Sequence, residues 1–177
     1  IQPYSPMAGT GLSSHELNQP GTYRDVMDTT VVAQFKADDS SSMKLKAICE
    51  GADLPSGLPI YFLAWTTTPW TLPSNTALTV GAKIDYVIVR TTNKYTMADG
   101  LVVLAENLVE KQFHKGPDYE VLGKCKGAVL VGMKYEQLID WAKPMEDPDQ
   151  AFRVISGDFV TTVDGTGIVH TAPTFGA

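Results

Sequence analysis

Cysteine is rare in this sequence, which has only Cys49 and Cys125 among its 177 residues. The two do not form a CxxC pair, so they support neither a zinc site nor a disulfide framework. A reduced, cytoplasmic location is therefore the expectation. Long apolar runs are missing as well, since none approaches the ~20 residues that a membrane-spanning helix needs. No membrane partner is expected.

Basic residues are outnumbered: 14 Lys and Arg against 20 Asp and Glu give a net charge of −6. This balance argues against a free-standing nucleic-acid binder that works through a basic patch. Apolar residues make up 44% and charged residues 19%, which is typical of a globular domain. The chain begins at Ile1 rather than Met and ends at Ala177 close behind an ordered-looking motif, so we expect a piece of a larger protein.

Short apolar segments at intervals of about ten residues predict a mainly β fold, a barrel or sandwich with peripheral helices. Residues 1–24 are rich in Gly, Pro and Ser and are predicted to be an extended segment leading into a domain at 25–177. Helices are predicted at 103–113 and 135–141. The predicted strands are 30–35, 43–49, 58–65, 84–90, 129–131, 152–155 and 167–170.

The most unusual segment is WTTTPWTLPSN, at 65–75, where three threonines follow an apolar strand and precede Pro69. Pro69 favours an extended backbone at Thr68, so Thr66 and Thr68 should share a face opposite Thr67. Hydroxyls and free amides in such a loop can position a water, a ribose hydroxyl or an ester. The segment contains no pair of nucleophile and base. A strand end with satisfied threonines stays an open alternative.

A second segment, DGTGIVHTAP at 164–173, combines two glycines with a histidine. Gly165 and Gly167 allow a tight turn or a close backbone approach. Their spacing, with no lysine following, excludes a dinucleotide or P-loop fingerprint. A mostly neutral His170 could fill space and form hydrogen bonds as readily as accept a proton. A purely structural His170 stays open too.

Together, WTTTPWTLPSN and, about 90 residues later, GTGIVHTAPTFGA resemble the editing domain inserted into isoleucyl-tRNA synthetases. The resemblance extends to residues 12–16 and 23–35. Valyl and leucyl editing domains typically have Arg in place of Thr68, an acidic residue in place of Trp70, and Lys or Met in place of His170. The chain therefore has the isoleucyl pattern. The resemblance implies a closed β-barrel core with peripheral helices.

The resemblance also implies an activity, the hydrolysis of mischarged Val-tRNA(Ile). One missing methylene is worth only ~1–3 kcal/mol in an apolar pocket, a limit for which isoleucyl-tRNA synthetase is itself a standard example. A second site that admits valine and excludes isoleucine by size would remove the error. The implied partners are the tRNA(Ile) 3′ end carrying valine and the remainder of the synthetase, with the isolated domain a monomer.

The same resemblance assigns roles to individual residues. Trp70 would supply an apolar wall, Asn75 would support the loop or contact substrate, and His170 would exclude the extra methylene of isoleucine. A positioned water would attack the ester without a covalent intermediate, metal or cofactor, since ATP and Mg belong to the synthetic site of the whole enzyme. The cleft around the ester and terminal adenosine would be lined by three hydroxyl residues, Thr66, Thr67 and Thr68.

Two points stay open at the level of sequence. The family continues past its histidine segment to an Asp that holds the substrate's α-amino group, and this sequence ends at Ala177 before that position. We therefore expect weak or no hydrolysis from the 177 residues alone, in a domain truncated at its C-terminus. The alternatives are a barrel that only binds the aminoacylated 3′ end, and an editing domain of a valyl or leucyl synthetase.

Overall fold

A computed structural model describes residues 2–49, 57–113 and 119–173. Its helices are α1 (Ser14–Leu17), α2 (Asp39–Ile48), α3 (Val109–Gln112) and α4 (Gly127–Leu130), with 3₁₀ turns at Pro69–Ser74, Glu106–Leu108 and Pro148–Gln150. Its strands are β1 (Tyr4–Ser5), β2 (Thr10–Gly11), β3 (Val31–Lys36), β4 (Ile60–Thr66), β5 (Ala77–Val80), β6 (Asp85–Thr92), β7 (Asp99–Ala105), β8 (Tyr119–Lys126), β9 (Arg153–Ser156) and β10 (Ile168–Thr171). No helix in these ranges is long and apolar enough to cross a membrane.

In the described part of the chain, eight strands form one curled sheet with the order β8-β6-β7-β4-β10-β5-β9, and β3 pairs with β4 outside that path. Strand β4 is the junction, with antiparallel β3 on one edge and parallel β7 and β10 in succession along the other. Isolated bridges from Ala37 to Tyr135 and from Lys134 to Arg153 connect β3 to β9. These bridges close the curled sheet into the barrel that the resemblance predicts.

The barrel interior is apolar because alternate residues of its strands point inward. Phe35, Phe62, Leu78 and Ile168 belong to this buried cluster. A smaller cluster on the outer face of β4 and β7 includes Leu63. The mainly β fold with few helices therefore agrees with the expectation.

The strand predicted at 43–49 is wrong, because these residues belong to helix α2. The Asp38 side chain caps the helix by accepting the Ser41 amide at 2.8 Å, and Ser41 and Leu45 form its buried face four residues apart. The apolar residues at alternate positions 43, 45 and 47 suggested a strand. Only Leu45 of the three is buried, so the alternation does not reflect packing.

The helix predicted at 103–113 is wrong in its first part. Residues up to Ala105 belong to β7, which pairs with β6 on one side and β4 on the other. Burial on both faces produces the continuous apolar run, which periodicity alone does not distinguish from a helix. Helical structure is confined to the 3₁₀ turn at Glu106–Leu108 and to α3.

Two further predictions are corrected. The predicted strand 129–131 overlaps α4, a single helical turn that ends at Leu130. The predicted helix 135–141 is absent, because the Tyr135 and Glu136 amides donate to Phe152 and Lys36 carbonyls and complete the barrel. Strands β5, β7 and β8 were not predicted as strands. Within residues 2–24 the structure has the β1–β2 hairpin and α1, and the proposed boundary at residue 25 stays a prediction.

Candidate functional site

The threonine segment lies at the end of β4, at one mouth of the barrel. Ahead of Pro69, Thr68 has φ −124° and ψ 67°, so its backbone is not extended as the sequence predicted. The Thr68 amide donates to Thr66 Oγ1 at 3.1 Å, and the two hydroxyl oxygens are 3.3 Å apart. Thr66 is buried, whereas Thr67 and Thr68 are both exposed. Thr66 and Thr68 are therefore neighbours through this local hydrogen bond and not through the alternation of an extended chain.

Strand β10 brings the second segment to the first, because it inserts between β4 and β5. Val169 pairs with Trp65 of β4, and His170 pairs with Leu78 of β5. The His170 ring then lies 2.9 Å from Thr71 Oγ1 through Nε2 and 2.8 Å from Asn75 Nδ2 through Nδ1. Residues 95 and 99 positions apart in sequence thus form one hydrogen-bonded group.

These residues surround a cavity of about 290 Å³. Trp70 does not line it, and its side chain is 65% exposed. Asn75 is 5% exposed and lies behind the imidazole, against the core. The structure therefore brings the three threonines and His170 to one cavity, and leaves Trp70 and Asn75 outside its wall. The lining residues are Trp65, Thr66, Thr67, Thr68, Thr71, Val169, His170 and Ala172.

His170 is half-buried, and burial lowers the pKa of its imidazole below the usual value. Among the described residues that line the cavity there is no carboxylate to counter this effect. The ring is therefore neutral at pH 7. Within the three described ranges, no group of three or more His, Cys, Asp and Glu side chains comes close enough to hold a metal ion.

Thr71 and Tyr135 belong to the site, and the sequence reasoning missed both. The Thr71 hydroxyl donates to the Thr68 carbonyl at 2.8 Å and contacts His170. Its position within the threonine-rich segment was a usable signal. The Tyr135 hydroxyl donates to Asn75 Oδ1 at 2.6 Å from 60 residues away in sequence. Nothing near Tyr135 in the sequence indicates this contact.

The arrangement offers hydroxyls, backbone groups and a neutral imidazole to whatever enters the cavity. Such groups can orient a polar substrate and stabilise developing negative charge. The described residues also form larger concavities, of about 860 and 550 Å³ around the β6–β7 turn at 93–98 and of about 320 Å³ beside Tyr135. Size alone would favour them. We assign the site to the smaller cavity because both motifs converge on it.

The fold is shared with solved editing domains. The crystal structure of the P. falciparum cytosolic leucyl-tRNA synthetase editing domain aligns with a TM-score of 0.60 and 13% identity, over 80% of this chain and 60% of that one. The P. knowlesi domain aligns with a TM-score of 0.58 and 15% identity, over 80% and 55%. The chain therefore has the fold of the editing domains of class I aminoacyl-tRNA synthetases.

Sequence similarity identifies the family within this class. The chain is 56% identical over 200 residues to the isoleucine–tRNA ligase of Bacteroides thetaiotaomicron and 58% over 192 residues to that of Bacteroides fragilis. Each alignment covers 100% of this chain and 16% of the relative. No family model matches the chain. The chain belongs with the isoleucine–tRNA ligases, as a segment with the editing-domain fold, which confirms the resemblance seen in the sequence.

Proposed function

We propose that this chain hydrolyses the ester of mischarged Val-tRNA(Ile), as the post-transfer editing domain of an isoleucyl-tRNA synthetase. The observation that carries the proposal is the convergence of Thr66, Thr67, Thr68 and His170 on one cavity at the barrel mouth. The partners would be the aminoacylated 3′ end of the tRNA and the remainder of the synthetase. A net charge of −6 argues against gripping a tRNA backbone but not against a cleft that receives one terminal nucleotide delivered by a larger enzyme.

The polar groups of the cavity favour attack by a positioned water. Thr71 Oγ1 is the hydroxyl in contact with the imidazole, but its proton is directed to the Thr68 carbonyl at 2.8 Å. Thr71 is therefore a poor candidate for a nucleophile activated by His170. An aminoacyl ester is already reactive, so orientation of water and ester can supply much of the acceleration. Threonine hydroxyls and backbone amides would stabilise the oxyanion, and the reaction would need no cofactor.

His170 would decide which side chain enters. The imidazole is held by Thr71 on one nitrogen and Asn75 on the other, so it cannot rotate aside without losing both contacts. Excluding one methylene through a fixed wall uses packing strain, which costs about 1–3 kcal/mol when a well-packed site must accept an extra group. A second discrimination of this size would multiply the one already made at the synthetic site of the whole enzyme.

The test is a deacylation panel of Val-tRNA(Ile), Ile-tRNA(Ile) and Thr-tRNA(Val). It uses this chain within an isoleucyl-tRNA synthetase, together with its His170→Ala variant. The wild type should hydrolyse only the valyl ester, and His170→Ala should also hydrolyse the isoleucyl ester. His15→Ala is the matched control, because His15 lies on the exposed helix α1. The control should behave as the wild type does.

Each other result contradicts a stated part of the proposal. An unchanged ratio of isoleucyl to valyl hydrolysis in His170→Ala would remove His170 from the size barrier. Hydrolysis of the threonyl ester in preference to the valyl ester would make the domain an editor of a different error. Binding of a valyl-adenosine analogue without hydrolysis of any ester would leave a barrel that only binds the 3′ end.

A further inference from the structure

A connected set of hydrogen bonds runs from the barrel core to the cavity through Asn75. The Asn75 amide nitrogen donates to the Ala77 carbonyl at 2.9 Å and lies 2.8 Å from His170 Nδ1. The Asn75 amide oxygen accepts the Tyr135 hydroxyl at 2.6 Å. Asn75 and Tyr135 are 5% and 3% exposed, so water does not substitute for these contacts. All the polar atoms of the Asn75 side chain are thus engaged inside the protein.

The contacts fix the direction of each hydrogen bond. A backbone carbonyl only accepts, so the atom of Asn75 that faces Ala77 must be the NH2 group. The second N–H of that group points at His170 Nδ1, which must therefore accept and carry no proton. The proton of a neutral imidazole is then on Nε2, and it is donated to Thr71 Oγ1. The Thr71 proton is free for the Thr68 carbonyl, so every donor has an acceptor.

We propose that Asn75 and Tyr135 are positioning residues that hold His170 in one tautomer, with its proton on Nε2, and in one ring orientation. The proposal rests on the proposed function, because it explains how the same ring can exclude isoleucine. It assigns to Tyr135, remote in sequence and outside the cavity, a part in substrate discrimination.

The physical need is for a wall that does not move. A histidine without such partners exchanges its proton between two nitrogens and rotates about χ2, and each state presents a different shape and polarity. A second proton on this ring would bring Nδ1–H against the N–H of Asn75, two donors face to face. Loss of the Tyr135 hydroxyl would leave the Asn75 oxygen buried without a donor, a state proteins rarely tolerate.

The first experiment reads the tautomer directly and needs no substrate. The 177-residue chain, labelled with ¹⁵N in histidine, is observed by NMR at pH 7.5. The wild type should show a bare Nδ1 and a protonated Nε2 for His170. Asn75→Asp replaces the facing donor by an acceptor at nearly constant shape, so the proton should appear on Nδ1. An unchanged bare Nδ1 in folded Asn75→Asp would overturn the positioning role.

The second experiment uses two buried tyrosines as a matched pair. Tyr135→Phe removes the hydroxyl that holds Asn75, and Tyr86→Phe removes one that donates to the Gly167 carbonyl at 2.6 Å. Both side chains lie in the barrel core. Tyr135→Phe loses one buried hydrogen bond, and Tyr86→Phe loses two, because the Tyr86 hydroxyl also accepts the Gly81 amide at 3.0 Å. Only Tyr135→Phe should shift the His170 nitrogen signals toward the average of the two tautomers. Equal shifts in both variants would mean that Tyr135 acts through general loosening of the core.

The functional readout is the ratio of isoleucyl to valyl ester hydrolysis by the synthetase that contains this chain. Tyr135→Phe should raise that ratio roughly tenfold, which corresponds to ~1.4 kcal/mol. Tyr86→Phe loosens the turn ahead of β10 without touching Asn75, so it should raise the ratio less. A ratio unchanged in Tyr135→Phe would overturn its part in discrimination. A wild type that hydrolyses neither ester would overturn the proposed function instead, while the NMR result would still decide the tautomer.

Discussion

Replacing Gly167 by alanine would test how closely β10, the strand that carries His170, packs against the rest of the barrel. Gly167 has φ +72°, and a Cβ added there would overlap the Cβ of Ala105 in β7. Its neighbours are fixed as well, since the Ala105 amide donates to the Thr166 carbonyl at 2.9 Å and the Tyr86 hydroxyl donates to the Gly167 carbonyl at 2.6 Å. The added methyl group therefore cannot be relieved by a small shift of β10.

Two costs add at this position. Placing an alanine in the left-handed region costs about 1–2 kcal/mol. Forcing an extra methyl into a packed core costs about 1–3 kcal/mol. Gly132→Ala isolates the first cost, because Gly132 has φ +84° and a Cβ there would meet nothing within 4 Å. We expect Gly167→Ala to lower the free energy of unfolding by about 2–5 kcal/mol, and Gly132→Ala by about 1–2 kcal/mol.

Urea denaturation of the two variants and the wild type measures this difference, provided that the m-value stays constant. Gly167→Ala should also reduce hydrolysis of the valyl ester, because its methyl group displaces β10 and His170 with it, whereas Gly132→Ala should not. Equal losses of stability in the two variants would refute the close packing of β10 against β7. If Gly167→Ala were much less stable but hydrolysed the valyl ester at the wild-type rate, the packing of β10 against β7 would not be needed to position the site.

Three further outcomes follow from the site. Burial lowers the pKa of His170 in the folded chain, so the imidazole of the unfolded chain takes up its proton first as the pH falls. The contribution of a neutral, buried His170 to the free energy of unfolding is therefore complete above about pH 6.5 and decreases below it. Urea midpoints at pH 7.5 and 5.5 should therefore differ more in the wild type than in His170→Gln, and equal differences would contradict the effect. Thr67→Val keeps the shape of a side chain that lines the cavity and should lower the rate of valyl ester hydrolysis, whereas a wild-type rate would make the hydroxyl dispensable. EDTA should leave hydrolysis unchanged apart from its effect on tRNA folding, and a metal-restored loss of activity would contradict the water mechanism.

The sequence predicted those parts of the fold where burial and periodicity agree. Strand β4 was found because Ile60–Thr66 is apolar on both faces and bounded by Pro59 and Pro69. Residues 43–49 were misread because alternate apolar side chains happened to lie on a capped helix with only Leu45 buried. Periodicity reports the local pattern, and which face is buried is decided by the strands that pack against it.

Some residues of the candidate site could be predicted from the sequence and others could not. Thr66–Thr68 could be found because the unusual residues are adjacent, and His170 because it follows a turn with two glycines. Tyr135 could not, because its contact with Asn75 exists only once residues 134–135 close the barrel between β3 and β9. A hydrogen bond that forms only when the barrel closes cannot be predicted from the residues next to either partner in the sequence.

The two motifs carry information together because they pack on each other as one unit. A Cβ on Gly165 would come within 2.9 Å of the Trp65 ring, so the glycine turn lies directly against the first motif. Thr68 Oγ1 is 3.4 Å from Thr71 Oγ1, which is the partner of His170. An arginine at position 68 would bring a guanidinium near the neutral imidazole and would further disfavour its protonation. The contacts of His170 with Thr71 and Asn75 use no side-chain atom of Thr68, so residue 68 would act on the ring through its charge and not through these hydrogen bonds.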